Sequence, residues 1–211
     1  MGLYVDAVLP RLINWTCSTA GLDQWRETAC KGLRGTIVEI GFGSGTNVPF
    51  YPADVTKVVA VEPSLVARRL AAPRIARSDV EIEQVGLDGH SLPLDDDSCD
   101  GALVAFTLCS VHDAALVLHE LRRVLRGNGS LHFLEHGIAP DDATARWQRR
   151  MEPLQKRVAG GCHLTRDSLS MIADAGFTIE WSEQRFARGP RPWSFFSVGV
   201  ANKRAPQTLG D

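Results

Sequence analysis

A run of β-branched and apolar residues at positions 36–40 leads directly into the glycine-rich segment 41–45. Such a run is typical of a strand buried on both faces, and the glycines after it let the backbone turn sharply and approach a ligand closely. Similar runs recur along the chain and alternate with segments of helical periodicity, which predicts a mainly parallel sheet with helices on both faces. The first five predicted strands are residues 36–40, 57–62, 80–85, 101–106 and 131–134.

The helices are predicted from apolar spacing and from the residues that begin and end each one. Two short helices are expected before position 35, and Asp113 is expected to cap a helix that ends at the glycines of 127–129. The last two predicted strands are joined by a short polar connection, so one of them should run antiparallel. The remaining predicted elements are a basic helix at 143–158, a helix at 167–175 and strands at 177–181 and 194–200.

The composition limits the class of protein. The chain has 211 residues, ordinary for one domain, and its 23 lysines and arginines are balanced by 25 acidic residues. Nucleic-acid binders usually carry a strong basic excess, so nucleic acid is disfavoured as the main partner. No apolar run approaches the roughly 18 residues of a membrane span, and no signal peptide is recognisable. The five scattered cysteines include no CxxC pair, which argues against a disulfide framework or a structural zinc site and favours a reducing cytoplasm.

The spacing of the glycines discriminates between possible ligands. In the dinucleotide-binding pattern GxGxxG the third glycine follows the first by five positions, but here that position is Thr46 and the glycine is Gly45. The GK[ST] of a phosphate-binding P-loop is absent. The pattern E-x-G-x-G-x-G at 39–45 resembles instead that of the class I S-adenosylmethionine-dependent methyltransferases, and the resemblance covers at least residues 36–136.

This resemblance implies a fold and a cofactor site. The fold is α/β, a seven-stranded, mainly parallel Rossmann-like methyltransferase sheet with helices on both faces and one antiparallel strand. In the family, the residue matching Glu39 helps place the ammonium end of the cofactor, and the one matching Glu62 accepts hydrogen bonds from both ribose hydroxyls. Asp88 lies in LDGHSLPL, which is similar to the family's G-D-A-x-x-L-P-F and implies a contact with the adenine amino group. The implied cofactor-binding residues are Glu39, Gly41, Gly43, Gly45, Glu62, Pro63, Asp88, Gly89, Ala105 and Phe106.

Four downstream segments resemble one branch of this family. They are residues 106–111, 121–126, 134–136 and 161–166, and in this order they are similar to the thiol S-methyltransferases, a branch near the quinone-biosynthesis C-methyltransferases. The resemblance implies methyl transfer from S-adenosylmethionine to a small, apolar acceptor, with a thiol favoured. Known members of the branch carry an N-terminal membrane anchor, which is not expected here. The alternatives are a quinone-like or lipid-headgroup acceptor, or a catalytically silent cofactor-binding module.

The acceptor site is expected at the carboxyl ends of the fourth and fifth strands, because open α/β sheets bind ligands there. His136 is expected to face the acceptor and to take or orient its proton. Each candidate also has a structural alternative, since a cysteine in an apolar stretch is often a core residue and a histidine can brace a loop. None of these side chains has metal-ligand spacing with nearby carboxylates, so no metal is expected. The catalytic candidates are His136, His112 and Cys109, with His163 as a further possibility; the other histidines, His90, His119 and His132, are interpreted as structural or exposed.

The predicted organisation has three parts: a helical lid at 1–34, the methyltransferase domain at 35–203 and a frayed tail at 204–211. The basic helix is expected to present a solvated face, with an acidic substrate or a membrane surface as the alternative. The expected partner is a small-molecule acceptor in the cytoplasm, with peripheral membrane contact and oligomeric state left open. The lid residues expected over the acceptor site are Tyr4, Leu9, Leu12 and Trp15.

Overall fold

A seven-stranded sheet with the order β3-β2-β1-β4-β5-β7-β6 forms the centre of the protein. The computed structural model describes residues 4, 8–85 and 89–203. Neighbouring strands are parallel except for β7, which is antiparallel to both β5 and β6. This confirms the predicted mainly parallel sheet with one antiparallel strand. The strands are β1 Gly35–Ile40, β2 Val55–Val61, β3 Glu81–Val85, β4 Cys99–Ala105, β5 Leu125–His136, β6 Phe177–Phe186 and β7 Phe195–Lys203.

Helices cover both faces of the sheet, as the alternation of strands and helices predicts. Side chains of β1 alternate between two buried clusters: Val38 packs with α4 on one face, whereas Ile37 packs with α2 on the other. Asp113 caps α4 by accepting a hydrogen bond from the backbone N–H of Leu116 at 3.0 Å. The α-helices are α1 Leu9–Cys17, α2 Asp23–Cys30, α3 Leu65–Ile75, α4 Ala114–Val124, α5 Asp142–Val158, α6 Ser168–Asp174 and α7 Arg191–Ser194.

The end of α4 and the start of β5 differ from the sequence prediction. The glycines of 127–129 do not end α4: that helix stops at Val124, and the glycines lie within β5. Leu125 takes an extended conformation because its fully buried side chain belongs to the core and it pairs with Cys99 of β4. The pairing of β4 with β5 shifts register after this point, which accommodates the extra residues.

Two helices show how the surface of the sheet is covered. The helix α3 was not predicted, and it contains Pro73 in its interior. The helix α5 is the predicted basic helix, and it buries Ala145 and Gln148 while its basic side chains are exposed to solvent.

In the part of the chain that the structure describes, no helix is both long enough and apolar enough to cross a membrane.

Candidate functional site

A cavity of about 640 Å³ opens at the carboxyl ends of β1, β2 and β4. This is the point where the strand order reverses, since β2 and β3 lie on one side of β1 and β4 and β5 on the other. The helix α1 closes the cavity on the side away from the sheet. Most of the wall comes from three segments: residues 40–44 and 46–47, residues 61–64 and 67, and residues 105–107 and 110–112. The α1 side chains in it are Leu9, Pro10, Ile13, Asn14 and Cys17.

The glycine loop gives the cavity a backbone surface. Gly41 has φ = +71° and Gly43 has φ = +57°, a region that L side chains rarely adopt. A Cβ on Gly41 would collide with the side chain of Thr107, whose hydroxyl donates to the backbone carbonyl of Ile40 at 3.0 Å. A Cβ on Gly43 would meet nothing closer than the Gly41 carbonyl oxygen at 3.7 Å. The glycine at 41 therefore serves packing, whereas the one at 43 leaves open space beside the cavity.

Glu62 presents its carboxylate at the end of β2. Its Oε2 accepts from the backbone N–H of Gly43 at 2.9 Å, and its Oε1 accepts from that of Ser64 at 2.8 Å. Burial raises the pKa of this carboxyl, although both backbone hydrogen bonds oppose the shift. Each carboxylate oxygen keeps a second lone pair, so Glu62 can still accept two hydrogen bonds from a ligand. Gly41, Gly43, Glu62 and Pro63, four of the predicted cofactor-binding residues, all line the cavity.

Glu39 lies behind the cavity wall. It is buried, and its carboxylate accepts from Nδ2 of Asn47 at 2.8 Å and from the hydroxyl of Tyr51. Burial raises its pKa to about 7. Asn47 lines the cavity, whereas Glu39 does not. The geometry makes Glu39 a positioning residue for Asn47.

Arg26 is a cavity residue that the sequence analysis missed. This side chain of α2 is only 2% exposed, yet it lines the cavity. Its Nη1 donates to Oδ1 of Asn47, and its Nη2 donates to the backbone carbonyl of Cys17 at 2.9 Å. Among the residues that the structure describes, its buried Nε has no hydrogen-bond partner. A buried cation that lines a cavity suits an anionic ligand group.

The loop after β4 forms another part of the wall. Ala105 and Phe106 line the cavity, and Phe106 has φ = +54°, which is uncommon for a bulky residue. The buried carboxylate of Glu135 holds this loop by accepting from the backbone N–H groups of Thr107 at 2.7 Å and Leu108 at 2.9 Å. Burial raises the pKa of Glu135.

The structure separates the predicted catalytic residues. His112 is exposed and lines the cavity. His136 and Cys109 do not line it, and Nε2 of His136 lies 2.8 Å from Sγ of Cys162. Nδ1 of His163 lies 3.2 Å from the Glu152 carboxylate, also outside the cavity wall. Of these candidates, His112 is the one that the structure brings to the cavity.

Two of the other histidines and two glycines lie at or near the cavity or in the core. His90 lines the cavity, although it was interpreted as structural or exposed, whereas His132 is buried with Nδ1 2.7 Å from the Ala29 carbonyl. Gly45 and Gly89 both have positive φ values and lie next to the cavity residues Ser44 and His90, but they do not form the wall. Asp88 lies outside the residues that the structure describes.

The four predicted lid residues do not lie together on one surface. Leu9 is buried and lines the cavity. Leu12 and Trp15 are 44% and 73% exposed and lie on the opposite side of the helix. Tyr4 donates its hydroxyl to the backbone carbonyl of Val158 at 2.6 Å, which places it against the end of α5.

Comparison with known proteins identifies a methyltransferase domain in the part of the chain that forms β1 to β5. The family model described as a methyltransferase domain matches residues 38–133. The thiol S-methyltransferase TMT1B of Rattus norvegicus is 34% identical over 181 residues, which is 80% of this chain and 71% of the relative. The ubiquinone/menaquinone biosynthesis C-methyltransferase UbiE of Syntrophotalea carbinolica is 32% identical over 62% of this chain and 58% of its own length.

A solved structure supports the fold. A crystal structure of an S-adenosylmethionine-dependent methyltransferase of Thermotoga maritima, described as a possible histamine N-methyltransferase, superposes with a TM-score of 0.65. It is 23% identical, and the match covers 95% of this chain and 100% of that one. The family model covers β1 to β5, which include the glycine loop after β1 and Glu62 at the end of β2. The chain belongs to the class I S-adenosylmethionine-dependent methyltransferases.

Proposed function

We propose that this enzyme transfers the methyl group of S-adenosylmethionine to the sulfur of a small, apolar thiol. The observation that carries the proposal is the 34% identity with a thiol S-methyltransferase over 80% of the chain. The cavity supports it, because the side of the wall away from the glycine loop includes the apolar side chains Leu9, Ile13, Phe106 and Val111. Such a wall favours an uncharged, apolar acceptor.

The cofactor contacts are proposed from the polar groups of the cavity. The two oxygens of Glu62 accept from the ribose hydroxyls, and the open surface at Gly43 allows the ligand to approach the backbone. The guanidinium of Arg26, which lines the cavity, supplies the positive charge for the carboxylate of the methionyl part, with Asn47 held beside it by Glu39. The bound cofactor supplies the activated methyl group.

Methylation of a thiol requires little help with deprotonation from the protein. A thiol has a pKa of about 8.5, so a few per cent is already thiolate at neutral pH, and positioning is the main requirement. His112 lies on the cavity wall, where its imidazole can orient the thiol and accept its proton. The helix α1 acts as a lid that excludes water from the reacting groups.

A panel of acceptors tests the proposal. Formation of S-adenosylhomocysteine is measured with alkyl thiols, quinols, phospholipid headgroups and amines at equal concentration. We expect turnover with apolar thiols, less with charged thiols, and little with the other classes. Turnover confined to quinols would overturn the thiol assignment. Cofactor binding without turnover on any acceptor would favour the catalytically silent module.

A further inference from the structure

Cys109, His136 and Cys162 meet in space although they come from three distant parts of the chain. They belong to the loop after β4, the last position of β5 and the loop after α5. Their ligand atoms all lie within 4.8 Å of one another, and Nε2 of His136 lies 2.8 Å from Sγ of Cys162. The two cysteines are 3% and 8% exposed. Sequence spacing does not indicate this grouping.

We propose that these three side chains form a binding site for a thiophilic divalent cation, with Zn²⁺ as the ion. Two thiolates and one imidazole form a ligand set that zinc uses, with bonds of about 2.3 Å to sulfur and about 2.0–2.1 Å to nitrogen. Tetrahedral angles then place the ligand atoms roughly 3.5–3.8 Å apart. The His136–Cys162 separation of 2.8 Å and the upper limit of 4.8 Å for the other pairs both lie within about 1 Å of these values, so small side-chain shifts suffice. A water completes the fourth position.

A cation would balance the charge of two thiolates in this cluster. Cys109 and Cys162 are both buried, so their side chains are largely shielded from water. Two thiolates cannot share this environment without a compensating positive charge, which a divalent ion supplies. Binding then releases the two thiol protons to solvent. The ring of His136 meets the cluster through Nε2.

The position of the cluster suggests what the ion does. The backbone N–H of His163 donates to the carbonyl of Cys109 at 2.7 Å, so the two cysteine-bearing loops already lie side by side. Residues 110–112 and 159–160, next to the two cysteines in sequence, line the cavity. The ion therefore holds the loop after β4 and the loop after α5 together in this wall of the cavity. This role is the same whichever acceptor the enzyme methylates.

Cobalt(II) tests the site directly. Reduced, chelator-treated protein is titrated with Co²⁺ and its absorption spectrum recorded. We expect one equivalent to bind with thiolate-to-metal charge transfer and tetrahedral d–d bands, and Zn²⁺ to displace it. Loss of an outer-shell partner costs 10–100-fold in affinity, so Cys109→Ser, Cys162→Ser and His136→Ala should each lose at least about 100-fold. Cys99→Ala, which removes a buried thiol outside the cluster, should leave binding unchanged.

A second measurement uses the unaltered protein and does not depend on the variants folding. Zn²⁺ should slow the alkylation of Cys109 and Cys162 at least tenfold, measured by mass spectrometry, without slowing that of Cys17. Absence of stoichiometric Co²⁺ binding to the reduced protein would overturn the proposal. Binding that survives in the folded Cys109→Ser and Cys162→Ser variants would also overturn it. A Cys109–Cys162 disulfide formed on mild oxidation, in protein that takes up no Co²⁺, would replace the metal site with a redox pair.

Discussion

Gly43 donates its backbone N–H to Oε2 of Glu62 at 2.9 Å, which joins the glycine loop after β1 to the end of β2. The other carboxylate oxygen accepts from the N–H of Ser64, at the start of α3. One side chain thus fixes three backbone segments around the proposed ribose position. Because these hydrogen bonds already hold the backbone segments of the site in place, cofactor binding has to order little of the protein.

Replacing Glu62 by Ala should weaken the binding of both S-adenosylhomocysteine and 5′-methylthioadenosine, because both contain the ribose. A hydrogen bond to a charged group contributes about 1.5–3 kcal/mol, which corresponds to roughly 10–150-fold in Kd. Isothermal titration calorimetry measures both ligands. Glu81→Ala, at an exposed surface ion pair with Lys57, is the matched control and should bind as the wild type does. Unchanged affinity in a folded Glu62→Ala variant would remove the ribose assignment.

Arg26→Gln should discriminate between the same two ligands. We expect a loss of roughly 10–150-fold for S-adenosylhomocysteine, since the variant lacks the charged donor proposed for its carboxylate. Binding of 5′-methylthioadenosine, which has no amino-acid part, should change less than about threefold. An equal loss for both ligands would show that Arg26 acts through the structure of Asn47 and the loop.

Two glycine substitutions separate packing from binding. Gly41→Ala should destabilise the fold, because its Cβ collides with Thr107 in addition to the cost of about 1–2 kcal/mol for a positive φ. Gly43→Ala should destabilise the fold only by the cost of the positive φ, but its Cβ should fill the space left for the ligand. Chemical denaturation and calorimetry on both variants check this. A Gly43→Ala variant with wild-type cofactor affinity would contradict the proposed approach of the ligand to the backbone.

Glu39 should make stability depend on pH. Burial raises its pKa from the ordinary 4.5 to about 7, so between these values the folded chain keeps a proton that the unfolded chain has released. The contribution of this group to stability is therefore largest below pH 4.5 and falls as pH rises to 7, by roughly 3 kcal/mol. Urea denaturation should show wild type losing stability relative to Glu39→Gln across this window. A pH-independent difference would show that the carboxyl does not titrate there.

His112→Ala should lower thiol turnover by roughly ten- to a hundredfold at pH 7, with cofactor binding nearly unchanged. The loss should shrink toward pH 9, because the thiol is then largely ionised without help. His119→Ala, which alters an exposed histidine of α4, is the control. A defect of equal size at both pH values would assign His112 a positioning role.

The order of the elements could be predicted from the sequence, but some boundaries and contacts could not. The glycine loop and Glu62 follow directly from local pattern, since each lies at the end of a strand with strong β-branched character. The predicted end of α4 at the glycines of 127–129 was wrong. The helix ends earlier, at Val124, because Leu125 is buried as part of β5, and this tertiary packing is not visible in the local sequence. Arg26 was missed because an arginine on a short helix usually lies in solvent, and only tertiary packing buries it.

The antiparallel strand β7 has a consequence for how the chain is made. It lies between β5 and β6, so those two strands present unpaired edges to each other until residues 195–203 have left the ribosome. Open strand edges recruit other chains, and pairings that close late in synthesis prolong that exposure. A nascent chain stalled before position 195 would therefore be a preferred client of chaperones, and completion of β7 would release it.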